Sequence, residues 1–201
     1  MRLISRLFGT AFIVLALPAF ADDGIPTRIR GTVEKLDGNT LVVKSRDNQQ
    51  LSITLAEDLR VSAVAKADFA DIKEGDYIGS AATTDADGKL RAQEVLIFPE
   101  AARGANEGHF PWDLTPDSTM TNATVAEVAA APEGRVLKLK FKGGENEIEV
   151  PEGAPIVTLA PGDLELLKPG AVVFIPATKT GDGKLSTSRI VAEKDGVQPP
   201  M

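Results

Sequence analysis

The polar and apolar residues of this chain alternate over short stretches, and each stretch ends at a turn signal. In the first half, Ile29, Gly31 and Val33 alternate with polar neighbours. A period of two is typical of β-strands that bury one face. Asp37-Gly38-Asn39 and Asp87-Gly88 have the composition of tight hairpin turns. The pattern predicts five strands, near residues 28–34, 40–44, 51–55, 77–82 and 90–98.

The second half of the chain repeats this scheme. Lys73-Glu74-Gly75-Asp76 matches Lys168-Pro169-Gly170-Ala171, and Asp87-Gly88-Lys89-Leu90 matches Asp182-Gly183-Lys184-Leu185, both at an offset of 95 residues. Upstream the offset is 92, which indicates a longer turn near residues 131–134 of the second copy. A shared offset of this kind indicates duplication of one folding unit. The second copy is predicted to form strands near residues 137–141, 148–150, 156–159, 172–175 and 185–191.

A short helical turn is predicted between the third and fourth strands of each copy. Asp68 and Asp163 are candidate N-caps for these turns. The order of elements predicts an all-β protein with two tandem five-stranded barrels, over residues 28–100 and 120–196. This order favours OB-like barrels over SH3-like or other small barrels.

Three other segments are predicted outside the barrels. Residues 1–21 combine Arg2 and Arg6, an apolar stretch and an Ala-Phe-Ala cleavage site, which is the pattern of a secretory signal peptide. Residues 101–119 form an aromatic connector without a strand period, and residues 197–201 are predicted to be a disordered tail. We therefore expect a periplasmic or secreted protein.

Charge and composition exclude several classes of function. Removing residues 1–21 takes away two of the 22 basic side chains and none of the 29 acidic ones, which leaves a net charge of −9. This balance argues against nucleic-acid binding, which requires basic surface. No apolar stretch after residue 21 reaches the length of a membrane span. The absence of cysteine excludes thiol chemistry and cysteine-ligated metal sites.

Several segments together resemble a family of short exported proteobacterial proteins. They are Gly31-Thr32-Val33-Glu34, Asp71-Ile72-Lys73-Glu74-Gly75-Asp76, and the stretch from Gly108-His109-Phe110-Pro111-Trp112-Asp113-Leu114 to Val125. The resemblance is to a domain-of-unknown-function family with OB-like barrels, and it implies tandem barrels without established catalytic residues. Automated annotation sometimes labels such chains "metal ABC transporter permease". The sequence does not support that label, because a permease needs several membrane-spanning helices.

The connector contains the one histidine and the one tryptophan of the chain. His109, Phe110 and Trp112 are therefore candidate ligand-binding residues, and packing between the barrels is the alternative. A divalent metal could be held by Glu107, His109, Asp113 and Asp117, although transition-metal sites usually gather more than one histidine or cysteine.

Two further motifs are weak. Asp85, Asp87, Gly88 and Glu94 match positions of a calcium-binding loop, but Thr83 occupies its first position, and the second copy has Arg189 where the first has Glu94. An Asp-Gly hairpin explains these residues without calcium. Ser118 and His109 share the connector with two carboxylates, but nothing in the sequence fixes them as a catalytic triad.

Three functional hypotheses remain open, and none includes catalysis or a required cofactor. The first is a non-enzymatic periplasmic binding or accessory protein for a small ligand, a cation or an envelope protein. The second is a metal-handling accessory protein that uses His109. The third is a structural or envelope-stress protein that binds an envelope partner.

Overall fold

The structure is a computed structural model that describes residues 24–131 and 134–200, and it confirms the all-β class. The predicted signal peptide lies outside the described residues. The first half of the chain forms β1 (Ile25–Asp37), β2 (Thr40–Ser45), β3 (Gln50–Lys66), β4 (Tyr77–Thr84) and β5 (Leu90–Ile97). The connector contributes β6 (Gly108–Pro111). The second half forms β7 (Thr119–Ala131), β8 (Gly134–Phe141), β9 (Gly144–Val150), β10 (Ile156–Pro161), β11 (Val172–Lys179) and β12 (Leu185–Ala192).

One five-stranded barrel combines the two ends of the chain. Strand β1 pairs with β2 and β11, β2 pairs with β3, and β11 pairs with β12, all antiparallel. A parallel pairing of β12 with β3, which places Ile190 opposite Val61, closes the ring. We call this ring the outer barrel. Its core includes Leu41, Ile53 and Ile175, each fully buried.

The other barrel is built from the middle of the chain. Strand β4 pairs with β5 and β7, and the antiparallel β7–β8 and β8–β9 pairs continue the ring. Parallel pairing of β5 with β9, at Leu90 opposite Ile148, closes it. We call this ring the inner barrel. Ile78, Leu137 and Ile148 are fully buried in its core.

Each barrel therefore contains strands from both repeats. The strand pairings differ from the predicted arrangement, in which residues 28–100 and 120–196 each form a barrel of their own. In the outer barrel β1, β2 and β3 of the first repeat combine with β11 and β12 of the second, and in the inner barrel β4 and β5 of the first repeat combine with β7, β8 and β9 of the second, of which β7 is not among the predicted strands. Equivalent pairs occupy equivalent positions. Arg30 lies opposite Phe174 in the outer barrel, as Asn122 lies opposite Gly79 in the inner one. The repeat offsets of 92 and 95 residues relate these two pairs.

The two barrels are joined by an antiparallel pairing of β3 with β10. Val64 lies opposite Leu159, and these residues are themselves equivalent at the offset of 95. An approximate two-fold axis therefore passes through this pair and exchanges the barrels. A third apolar cluster lies along this junction and includes Val64, Leu96 and Phe174.

The predicted turns between the third and fourth strands are short 3-10 helices. They span Phe69–Asp71 and Leu164–Leu166. The Asp163 side chain caps the second turn by accepting a hydrogen bond from the backbone N–H of Glu165. At the first turn, the backbone N–H of Asp68 donates to the carboxylate of Asp71. These caps satisfy backbone groups that such a short helix leaves unpaired.

The ordered structure near the C-terminus extends one residue into the tail that the sequence predicts to be disordered. Val197 exchanges backbone hydrogen bonds with Lys194 and packs against the third apolar cluster. The predicted tail therefore has an anchored first residue, and Met201 lies outside the described part of the chain. Between residues 24 and 200, apart from the two residues not described, no helix is long and apolar enough to cross a membrane.

Candidate functional site

A cleft of about 1020 Å³ lies at the junction of the two barrels. We call it the inter-barrel cleft. The outer barrel lines it with Arg60, Phe174 and Arg189, and the inner barrel lines it with Glu94 and Asn122. The connector covers part of it through residues that include Phe110 and Trp112. Ligand sites commonly occur at such junctions, with mostly apolar walls and a few placed polar groups.

A β-bulge directs Glu94 into this cleft. In a regular strand, Ala92 and Glu94 would share one face. The β4–β5 register shifts between Ala81 and Ala82, so that Gln93 is an extra residue on β5. Ala92 therefore faces the inner barrel core, and Glu94 lies on the other face, in the cleft. Bulges of this kind often redirect a side chain at a functional site.

Glu94 is a buried acid whose carboxyl group has no hydrogen-bond partner in the described part of the chain. The residue is 2% exposed, and neither carboxyl oxygen has a hydrogen-bond partner among the described residues. Burial raises the pKa of Glu94 to about 7, although the charges of Arg30 and Arg46 lower it in part. The acid is therefore poised to change its charge near neutral pH.

The two arginines that act on Glu94 are engaged by the connector. Nη2 of Arg30 donates to Oδ1 of Asp113 at 3.0 Å, and Nη1 of Arg46 donates to the carbonyl oxygen of Leu114 at 2.9 Å. These bonds fix both guanidinium groups on the connector. The charges of the two arginines thus lower the pKa of Glu94, but neither arginine forms a hydrogen bond with it.

Trp112 attaches the connector to the outer barrel. The guanidinium carbon of Arg28 lies 4.0 Å from the centre of the Trp112 ring, which is a cation–π distance. The rings of Phe174 and Phe110 lie 6.3 Å and 6.1 Å from it. The indole Nε1 is buried and has no acceptor in the described part of the chain. Trp112 therefore forms an aromatic wall with an unused hydrogen-bond donor.

Asp113 strengthens this attachment through charge. Besides its bond to Arg30, its carboxylate lies 3.8 Å from Nη1 of Arg28. Partial burial by itself would raise the pKa of Asp113, but the hydrogen bond and charge of Arg30 and the charge of Arg28 lower it below its ordinary value. Asp113 is thus ionised and acts as the counterion of the two arginines.

Arg60 and Arg189 form a pair of like charges on the outer-barrel wall. They lie directly opposite each other in the parallel β3–β12 pairing. No ion pair of either guanidinium is found within residues 24–131 and 134–200. Like charges at directly opposite positions destabilise a sheet. An anion bound between the two groups would remove that repulsion.

The unpaired buried polar atoms concentrate in this region. Within the described ranges they are Nε of Arg30, both carboxyl oxygens of Glu94, Nε1 of Trp112 and Oδ1 of Asn122. Three of these four residues line the cleft, and Arg30 is electrostatically coupled to Glu94. Buried polar atoms are normally hydrogen-bonded, so each exception needs an explanation. Donors and acceptors are both present, so one bound molecule with both functions could satisfy them.

The sequence-predicted ligand residues are divided between two faces of the connector. Phe110 and Trp112 line the cleft. His109 is exposed and faces the inner barrel, where its Nδ1 lies 2.8 Å from the Thr121 hydroxyl and 2.9 Å from the Asn146 amide nitrogen. Strand alternation along β6 separates these neighbours, because adjacent side chains point to opposite faces.

The four residues predicted as metal ligands have separate partners or positions. Glu107 accepts a hydrogen bond from the backbone N–H of Lys142, Asp113 pairs with two arginines, and His109 bonds to the inner barrel. Asp117 occupies an exposed turn with a φ of 61°. In the described ranges, no three histidine, aspartate or glutamate side chains are grouped to hold one metal ion.

The hydroxyl of Ser118 also has structural partners. Its one proton faces the carbonyl oxygens of Trp112, at 3.1 Å, and Thr115, at 2.8 Å, and its oxygen accepts from the Thr115 backbone N–H. These bonds shape the turn that follows Trp112, and they engage the hydroxyl of Ser118 in backbone contacts.

Sequence reasoning missed the cleft residues Glu94, Asn122, Arg60 and Arg189. One signal for them was present, because the repeat offset of 95 makes Glu94 equivalent to Arg189. A pair of opposite charges at equivalent positions of a duplicated protein marks a place where the copies have diverged in chemistry. Each residue follows a register shift in its own strand pair, and these shifts could not be located from strand alternation.

No family model matches the chain, and neither a curated protein nor a solved structure matches it.

Proposed function

We propose that this chain is an exported, non-enzymatic binding protein that holds a small organic ligand in the inter-barrel cleft. The observation that carries the proposal is the concentration of unpaired buried polar atoms at one cleft. Leaving such an atom without a partner costs about 1–3 kcal/mol. A ligand that pairs with them removes this cost on binding.

The walls of the cleft suit a ligand with an apolar body. Leu96 and Phe174 are buried side chains of the third apolar cluster, and Phe98, Trp112 and Leu159 pack against them. Apolar area removed from water contributes about 25 cal/mol per Å². The cleft volume is at the upper end of the usual range for small-molecule sites, about 300–1,000 Å³.

A substitution in the cleft wall tests the proposal. The protein from residue 22 onwards is screened by thermal shift and calorimetry against amphiphilic small molecules, including carboxylates, amines, amino acids and sugars. We expect at least one to raise the Tm of the wild type. Leu159→Trp should abolish its binding, because Leu159 lines the cleft and a larger side chain fills it. Leu164→Trp is the matched control, since Leu164 is 53% exposed on a 3-10 turn.

Two outcomes would overturn the proposal. One is that no compound raises the Tm or gives a calorimetric signal at millimolar concentration. The other is that a ligand binds the Leu159→Trp variant as tightly as it binds the wild type, while circular dichroism shows both proteins folded. The second result would locate the binding site outside the cleft.

A further inference from the structure

We infer that the ligand of the inter-barrel cleft is a small apolar zwitterion, an amino acid or a short peptide. Its carboxylate binds Arg60 and Arg189, and its ammonium group binds Glu94. This inference rests on the proposed function. It adds the chemical class of the ligand and the orientation in which the ligand lies.

The carboxylate subsite follows from the position of the two arginines. Arg60 and Arg189 are cross-strand neighbours that line the cleft, without a carboxylate partner in the described residues. A guanidinium group binds a carboxylate through two parallel hydrogen bonds, which makes arginine well suited to this group. Two arginines side by side can share one carboxylate, and the bound anion screens their mutual repulsion.

The ammonium subsite follows from the isolation of Glu94. Its two oxygens are unpaired acceptors in a buried position of the cleft. Arg30 and Arg46 cannot turn toward it without breaking their bonds to Asp113 and Leu114. An ammonium group has three donors and a positive charge, so it pairs with both the hydrogen-bonding capacity and the charge of an ionised Glu94.

The approximate two-fold axis explains why the two subsites have opposite signs. Glu94 and Arg189 occupy equivalent positions, and the β4–β5 and β11–β12 pairings that carry them both contain a one-residue register shift, so they face the cleft from opposite barrels. Phe174 is equivalent to Gly79, so an aromatic ring lines one wall of the cleft, whereas the other wall has bare backbone against which Phe98 and Asn122 pack. A molecule with a charge of opposite sign at each end and an apolar middle is complementary to this arrangement.

The four end-forms of one peptide test the inference. The tripeptide Phe-Ala-Phe is titrated by calorimetry with free ends, with an acetylated N-terminus, with an amidated C-terminus and with both ends blocked. Acetylation removes the ammonium group, and amidation removes the carboxylate. We expect each single block to weaken binding at least about tenfold, because acetylation leaves the buried carboxylate of Glu94 without its partner and amidation removes the anion that offsets the repulsion between Arg60 and Arg189. Free phenylalanine and Phe-Ala distinguish an amino acid from a peptide as the preferred length.

Two variants assign each end of the peptide to its subsite. Glu94→Gln should bind the acetylated and free peptides equally, and it should still discriminate against the amidated one. Arg189→Gln should show the opposite preference. Arg91→Gln is the control, because Arg91 lies on β5 outside the cleft and pairs with Glu149. Thermal unfolding of each variant verifies that it is folded.

The outcomes separate this inference from the function on which it depends. Equal binding of the free and doubly blocked peptides would overturn the zwitterion but not ligand binding in the cleft. The same conclusion follows if no peptide form binds while another compound of the screen does so and is lost in Leu159→Trp. If neither peptides nor any other compound binds, both proposals fail.

Discussion

Glu94 is an ionisable residue that is almost completely buried, so its charged form is destabilised by the loss of water. Transfer of a carboxylate away from water favours the neutral acid, which is why burial raises its pKa to about 7. The nearby Arg30 and Arg46 offset this effect in part. At neutral pH a bound cation would therefore change both the charge and the hydrogen bonding of this residue.

The raised pKa predicts that Glu94 makes unfolding pH-dependent. The folded state holds the proton more tightly than the unfolded state, so stability falls as the pH rises from about 4.5 to 7 and is then level. A shift of this size corresponds to about 3 kcal/mol. Urea unfolding of the ligand-free proteins measures this. The unfolding free energy of Glu94→Gln relative to that of the wild type should increase by about that amount between pH 4.5 and 8. A difference that stays constant over this range would contradict the assignment.

Trp112 is the one tryptophan of the chain, so its fluorescence reports on the connector directly. Its contacts with Arg28 and Phe174 predict emission that is blue-shifted and poorly quenched by iodide. Phe174→Ala should shift the emission toward that of exposed tryptophan, whereas Phe141→Ala, near His109, should not. Emission typical of free tryptophan in the wild type would mean that the connector does not pack on the outer barrel.

The residue-level prediction from sequence was partly successful. The sequence identified the connector because His109 and Trp112 each occur once in the chain, and the structure puts Trp112 and Phe110 in the cleft. It also grouped His109 with them, although alternation along β6 turns that side chain to the inner barrel. The short connector gave no strand period, so these two directions could not be separated.

Strand β4 shows how an element is fitted to two buried faces. All six residues from Tyr77 to Ala82 are buried, because one face packs on the inner barrel core and the other lies beneath the connector. The Tyr77 hydroxyl donates to the carbonyl oxygen of Ala105 in that connector. Gly79 and Ala81 lie on the same face as Tyr77, because side chains two residues apart point the same way. Their small side chains fit the limited space between the barrel core and the connector.

This fit predicts the effect of a single methyl group at Gly79. A Cβ there would lie 2.7 Å from Oδ1 of Asn122 and 3.1 Å from the Phe98 ring. We expect Gly79→Ala to cost about 1–3 kcal/mol of unfolding free energy through overpacking, measured by urea denaturation, and to weaken ligand binding in the cleft.

Gly144→Ala provides the comparison for that change. The Cβ at Gly144 would lie 3.3 Å from the end of the Phe141 ring, outside the cleft. We expect a smaller loss of stability and no change in ligand binding. Equal effects of the two substitutions would argue against a tight fit at Gly79.

The lengths of the strands were less predictable than their positions. The sequence predicts a third strand near residues 51–55, whereas β3 extends to Lys66. Charged residues such as Glu57 and Asp58 interrupt the alternation at the point where the β3–β12 register shifts, and beyond them β3 continues beside β12 and then pairs with β10. The extra length is required by the junction of the barrels, and a local pattern contains no information about that junction.

The exchange of strands between the repeats could not be read from the sequence either. Because the copies are similar, the fourth strand of either copy presents the same pattern of apolar residues to the first strand of either copy. Pairing within a repeat and pairing between repeats therefore satisfy the same local rules. The repeat was predicted from its offsets, but the partners depend on the length of chain between Lys66 and Tyr77 and on the packing of the whole molecule.

The exchange makes the inner barrel continuous in sequence, and this predicts which fragment folds. Its core residues lie between Ala67 and Ile156. Residues 67–156 expressed alone should therefore unfold cooperatively in urea, as followed by circular dichroism. Residues 28–100, the unit predicted from the repeat, should not, because β1–β3 would lack β11 and β12. The reverse result would support barrels that close within each repeat.

The closure of the outer barrel by the two ends of the chain determines the order in which the protein can be completed. During synthesis β1, β2 and β3 are made first, but their partners β11 and β12 are made last. The inner barrel can close in the meantime, since its strands are already present. Until β11 and β12 have been made, the edges of β1 and β3 that they cover stay unpaired and are open to association with other chains. Such distant pairing also slows folding, so the segment that is synthesised first is expected to reach its native structure last.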